Sequence, residues 1–251
     1  MLSCLLLPAG PAASTEPEPA GTGQIVRLTE EVAVKDGQKV RVINHHGNIR
    51  IREVPLASSI ELALTVQTDP GVTHSVRRLL EMRDDGVLEL RPAPERPLDA
   101  SHGLLRIDVT LALPDRVELD VELAEGDFTM HGASYPVRLR ADRASVRLRT
   151  SGEVDVEVTE GHVVYLPPRG VAPAGGRIAT SGAPVDVLMN DPELLAFEVL
   201  SGAAVTTDSP WLLARREVRG RTEHFGGDEA DATLAIRTDA APVRLVFEGI
   251  R

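Results

Sequence analysis

A chain of 251 residues with 42% hydrophobic and 26% charged residues can bury a sizeable core and is not globally disordered. Its 27 basic and 38 acidic residues leave a formal net charge of −11, which opposes binding to nucleic-acid phosphates and to anionic membrane surfaces. One Trp, two Tyr and four Phe cannot furnish aromatic platforms for bases or sugars, so the core is expected to be built from Val, Leu, Ile and Ala.

The chain begins MLSCLLLPAGPAAS. This apolar run is too short to span a bilayer, and it resembles the later half of a secretory signal that lacks its positive start. Met1-Leu2-Ser3-Cys4 also resembles a lipoprotein box displaced by one place, which would make Cys4 a lipid-attachment residue. Cys4 is the one cysteine, so no disulfide can form within the chain. TEPEPAGTG follows as a polar linker. Residues 1–23 are therefore assigned to signal and linker, and 24–251 to a single repetitive all-β domain with a possible seam near 92–103.

Beyond the linker, runs that alternate apolar and polar residues are punctuated by Gly, Pro, Asp and Ser, the pattern of β-strands. Lys39–Ile51 (KVRVINHHGNIRI) and Ile60–Val66 (IELALTV) come first. GVTHSVRRLLEMRDDG fits a short helix or a strand, with Val76, Leu79, Leu80 and Met82 on one side. Val87–Leu90 is a strand, RPAPERP a proline-rich loop, and LLRIDVTLALP opens the regular part.

From there strands are predicted to start near Val117, Phe128, Val137, Val146, Val154 and Val163. This spacing suits a sandwich, a meander, or a solenoid whose alternate strands stack. Charge favours the last. Glu118, Asp120 and Glu122, then Arg138 and Arg140, then Asp155 and Glu157 would form an acidic, basic, acidic ladder, whereas a meander would oppose Arg138 and Arg140 to Arg147 and Arg149. The expected architecture is a β-solenoid with about 17 to 20 residues per coil. Gly126, Gly152, Gly161, Gly182 and Gly202, with Gly47 upstream, are expected to make corners with positive φ. LPPRGVAPAGG is an inserted loop, and Leu195–Leu200, Val205–Thr207, Leu234–Thr238 and Val243–Phe247 are expected to continue or cap the stack.

HHGNIRI, EGDFTM, SGEVDV, SGAPVDVLM and SGAAVTT together resemble a bacterial family, the putative-adhesin, domain-of-unknown-function family with a β-solenoid-like fold. The resemblance covers Lys39–Phe247. It implies an exported or membrane-tethered envelope protein, in the periplasm or on the cell surface, that acts in adhesion or envelope-stress signalling. It carries over no catalytic residues. The expected partner is an envelope protein or surface component, with no nucleic acid, no cofactor and no transmembrane span.

Other motifs point to chemistry only weakly. FGGDEAD has Ala230 where a GGDEF signature requires Phe, and as a calcium loop Asp228, Glu229 and Asp231 lack the nonapeptide pattern of β-rolls. His45 and His46 point to opposite faces of a strand unless Gly47 turns the chain, so they make a poor metal pair. No Gly-x-Ser-x-Gly elbow occurs. The alternative to a non-catalytic scaffold is a lyase or glycosidase with paired carboxylates in a groove.

Overall fold

The computed structural model describes residues 25–67, 76–77, 80–94, 106–226, 230 and 232–247. Cys4, Asp228, Glu229, Asp231 and most of the 92–103 seam lie outside them.

The protein is all-β. The N-terminal third contains β1 (Ile25–Ala33), β2 (Gln38–His46), β3 (Ile49–Glu53), β4 (Ser59–Gln67), the short β5 (Val76–Arg77), β6 (Leu80–Met82), β7 (Leu88–Leu90) and β8 (Ala93–Pro94), and β9 (Arg106–Leu113). The middle consists of β10 (Val117–Ala133), β11 (Val137–Thr150), β12 (Val154–Leu166), β13 (Gly176–Thr180) and β14 (Val185–Met189). The C-terminal part adds β15 (Leu195–Ser201), β16 (Val205–Thr207), a short helix α1 (Pro210–Ala214), β17 (Glu217–Arg219), β18 (Thr222–Phe225), β19 (Ala232–Thr238) and β20 (Val243–Phe247). The helix starts where Ser209 accepts a hydrogen bond from the Leu212 amide and Pro210 presets the first turn. The segment that suited either a helix or a strand holds β5, β6 and a turn, and no helix, among its described residues.

Three of these strands replace six predicted ones. Burial explains why. In β10 the large inward apolar residues are Val117, Leu119, Val121 and Leu123, then Phe128 and Met130, so the inward parity changes from odd to even. The same change separates Val137, Leu139 and Ala141 from Ala144, Val146 and Leu148, and Val154, Val156 and Val158 from Val163 and Tyr165. On a straight strand the even positions would point away from the odd ones. The inversion means that each long strand turns a corner, so both of its halves face one core. The hydrogen-bond ladder runs on through the bend because each corner lies against the next, with Gly126 beside Ala144 and Ala144 beside Gly161.

β10, β11 and β12 pair in parallel, which excludes a meander: Leu119 lies beside Val137, and Val137 beside Val154. The first halves continue a stack β7–β2–β10–β11–β12–β13–β19–β15. The second halves continue β9–β3–β10–β11–β12–β14–β20–β16. All belong to one 18-stranded sheet. Ladders this parallel are buried on their inner side by near-continuous branched aliphatics, which the alternating Val, Leu and Ile supply.

The two ends differ from a plain continuation. At the N-terminal end, β4 adds antiparallel to β9 and β1 antiparallel to β4. At the C-terminal end, the last strands of the chain, β19 and β20, lie between β13 and β14 on one side and β15 and β16 on the other. The antiparallel pair β18 and β17 then closes over β15.

Candidate functional site

Two outward faces result, one on each stack, and they carry charge differently. On the first, a row of facing residues runs Glu89, Arg41, Asp120, Arg138, Asp155 and Arg177 across six strands, changing sign at every step. A second row places Glu122, Arg140 and Glu157 side by side. Parallel strands bring such neighbours within about 5 Å, close enough for opposite charges to pair.

The contacts are uneven. Arg138 reaches Asp155 at 3.3 Å and Arg140 reaches Glu157 at 3.4 Å. Asp120 and Glu122 turn the other way, Asp120 to Lys39 at 4.0 Å and Glu122 to the guanidinium of Arg41. Glu118 has no ion-pair partner among the described residues. Arg177, which the sequence reading missed, is the central member: its Nη2 lies 2.9 Å from Asp155 and 2.5 Å from Glu157. Its strand follows the inserted loop, and GRIAT is a short alternating run whose register no local signal sets. Reversing both Arg138 and Arg140 to Glu is expected to lower stability by about 1 to 2 kcal/mol at low salt, toward the small end because both side chains are half-exposed. Urea unfolding at low and high salt checks this, since screening should erase most of the loss.

The corner glycines play two roles. Gly47, Gly126 and Gly161 have φ of +125°, +144° and +124°, conformations that side chains disfavour. Gly152, Gly182 and Gly202 do not have positive φ, contrary to the sequence expectation. Gly152 and Gly202 are required by closeness instead: a Cβ would sit 2.0 Å from the Tyr135 carbonyl oxygen and 1.8 Å from that of Asp239. Nothing in the structure demands glycine at Gly182, where a Cβ would meet ordinary contact at 3.6 Å. The residues that do complete these turns are buried threonines. Thr150 donates to the Ala133 carbonyl at 2.9 Å, Thr180 to Ala183 at 2.6 Å and Thr238 to Ala241 at 2.6 Å. The signal was present in the recurring TSG.

The second face has one buried charge. Asp186 accepts hydrogen bonds from Arg244 Nε at 2.6 Å and His162 Nε2 at 3.0 Å, with its side chain 7% exposed. Burial pushes its carboxyl up, but the bonds from Arg244 and His162 outweigh it and hold the group below the usual carboxylate range. Asp155 is likewise raised by burial and lowered further by Arg177 and Arg138, for a net fall. Both are more acidic folded than unfolded, so their stabilisation is complete above the unfolded value of about 4 and disappears as pH falls through the lower folded value. Asp186→Asn should therefore flatten the loss of stability on acidification below about pH 4, as thermal melts across pH would read.

His45 and His46 end β2, both exposed, and His46 Nδ1 stands 3.8 Å from Glu125. No group of three ligand-type residues gathers among the described residues. Among the described residues no helix is long and apolar enough to cross a membrane. A groove of about 390 Å³ opens on the first face, lined by Arg140, Glu157, Arg177, Arg237 and Asp239 among others.

Neither a family model nor a curated protein sequence matches the chain. Among solved structures, it is similar to a "putative cell adhesion protein" from Clostridium sporogenes at 12% identity and a TM-score of 0.52, covering 89% of this chain and 100% of that one. "Putative adhesin" structures from Bacteroides fragilis (10% identity, TM-score 0.24, covering 88% of this chain and 97% of that one) and Parabacteroides distasonis (12%, 0.27, 90% and 98%) superpose too loosely to carry weight. At such identities the first match establishes a shared all-β fold.

Proposed function

We propose that the chain is a non-catalytic, exported β-solenoid that works at the cell envelope as an adhesin-like scaffold, binding another surface component through its long strand faces. The observation that carries this reading is the parallel stack, in which Arg138 and Asp155 face each other 17 residues apart and Glu125 and Arg143 pair across 18. A regular stack of short-period layers makes broad, rigid faces and no deep pocket, which suits area contact with a partner. The fold shared with the Clostridium sporogenes protein supports it, since that protein is described as a "putative cell adhesion protein".

The carboxylates also favour binding over hydrolysis. A glycosidase needs one acid with a raised pKa beside an ionised one. Asp155 and Asp186 are both lowered, and Glu157 is occupied by Arg140 and Arg177. Two measurements test the proposal. A C-terminally tagged protein expressed with its natural upstream codons should be digested by protease added to spheroplasts; a protected, cytosolic tag would sink the envelope assignment. Purified protein should show no turnover of cell-wall glycans, and turnover abolished by Asp155→Asn with Glu157→Gln would make it an enzyme.

A further inference from the structure

The second face departs from the first in one respect that the fold does not require. Its outward rows read Arg50, Thr129, Arg147 and Val164, then Arg52, His131, Arg149 and Leu166, each residue beside the next on β3, β10, β11 and β12. Arg50, Arg147, Arg149 and His131 are exposed, and none has an ion-pair or hydrogen-bond partner among the described residues. Arg52 reaches Glu61 at 3.1 Å across an exposed surface. On the first face, at the same depth of the same strands, arginines alternate with acids and are paired. Here four arginines and a histidine gather with Glu61 on Arg52, while Asp186, beside Val164 in the first row, is taken by Arg244 and His162, in a protein whose formal net charge is −11.

Such a cluster is left without neutralising partners: Arg50 and Arg147 stand across Thr129, and Arg52 and Arg149 across His131, with no acid in the intervening strand. The acids that could have relieved it are placed elsewhere. We propose that this cluster is a binding site for an anionic polysaccharide, taking its carboxylate or sulfate groups in the four arginines. The assignment deepens the scaffold reading and rests on it, since it names the component that the second face would hold.

Geometry supports the class of ligand. Arg50 and Arg147 are separated by one strand, as are Arg52 and Arg149, and the two pairs are two residues apart along the strand, so the four charges mark a rectangle of roughly 10 by 7 Å. Anions repeated along an extended chain of sugar rings fall at comparable intervals. Guanidinium groups bind carboxylate and sulfate through paired donors, which ammonium groups do not. Beside the arginines, Val164 and Leu166 present partly exposed apolar surface in register with Arg147 and Arg149, a support for the C–H face of a ring. No Phe, Tyr or Trp stands in either row, so the His131 ring is the one aromatic surface a nucleobase would find there. The overall negative charge does not prevent binding, because it is screened beyond roughly 8 Å at physiological ionic strength while the local arginines are in contact.

The test titrates the full chain at physiological salt with heparin as the sulfated glycan, polygalacturonate as the carboxylated one, neutral dextran, oligothymidylate and phosphatidylserine vesicles. The double variant Arg147→Gln with Arg149→Gln is compared with Arg116→Gln plus Arg143→Gln, which removes the same charge from exposed arginines on Asp36 and Glu125. The expected result is binding to heparin, polygalacturonate or both, and none to dextran. Affinity should fall about tenfold or more per arginine in the patch variant and stay nearly unchanged in the other. Which polyanion binds better separates sulfate from carboxylate recognition. Equal loss in both variants, absence of glycan binding, or tighter binding to oligothymidylate or vesicles would overturn the proposal. Envelope localisation measured separately would still stand in each of those cases, so the failure would belong to the patch alone.

Discussion

Deleting residues 232–251 is expected to prevent cooperative folding of the C-terminal half, and not merely to shorten the molecule. In a stack whose layers follow chain order, the last segment is an end layer and its loss trims one edge. Here β19 and β20 are an interior layer, paired with β13 and β14 below and with β15 and β16 above. Leu234, Ile236, Val243 and Leu245 are at most 1% exposed. Losing those four side chains alone removes on the order of 10 kcal/mol of apolar burial, comparable to the whole stability of an ordinary domain. The truncated chain should aggregate, or show rapid proteolysis and amide exchange from β13 onward while β10–β12 stay protected. A truncated protein with native-like exchange protection in β15 would show that β15 can dock directly on β13, and the interior-layer argument would fail.

Gly126→Ala should be severely damaging. Its φ of +144° lies where side chains strain the backbone, and a Cβ there would be 2.1 Å from the Gly47 carbonyl oxygen, a distance no real contact tolerates. The clash is with main chain, so no rotamer relieves it. The two adjacent layers would have to separate at the point where the Asp127 amide donates a hydrogen bond to Asn48 Oδ1 at 2.9 Å. A loss of about 3 to 5 kcal/mol follows. Gly37 is the comparison, with φ of +73° and nothing within 4 Å of an added Cβ, so Gly37→Ala should cost only about 1 to 2 kcal/mol. Chemical denaturation of the two variants measures the difference. If they lie within 1 kcal/mol of each other, close approach is not what selects glycine at Gly126.

Much of the middle of the molecule was legible. The period-2 pattern from Val117 to Leu166 marked the strands, and the sign change between Glu118–Glu122, Arg138–Arg140 and Asp155–Glu157 indicated parallel stacking rather than a meander, which β10, β11 and β12 adopt. The reason for glycine at the corners was not always legible, because crowding at Gly152 and Gly202 comes from the neighbouring layer's carbonyls and leaves no trace in local sequence.

The candidate sites were less visible. Arg177 and the Asp186, His162 and Arg244 group join residues up to 58 positions apart, so their meeting depends on register. Arg147 and Arg149 were noticed only as a charge that a meander would oppose. Their isolation appears once Arg50 and Arg52 are brought beside them by β3 joining β10.

Alternation, composition and punctuation by themselves determined that this chain is all-β, with a core of branched aliphatics and turns at recurring small residues, because the two-residue period of a strand is a local property. Which strand lies beside which was decided only in three dimensions. Layer order, the insertion of β19 and β20 ahead of β15 and β16, and the unpaired arginines on the second face arise from pairing between distant segments, where every strand of suitable pattern competes and packing selects among them.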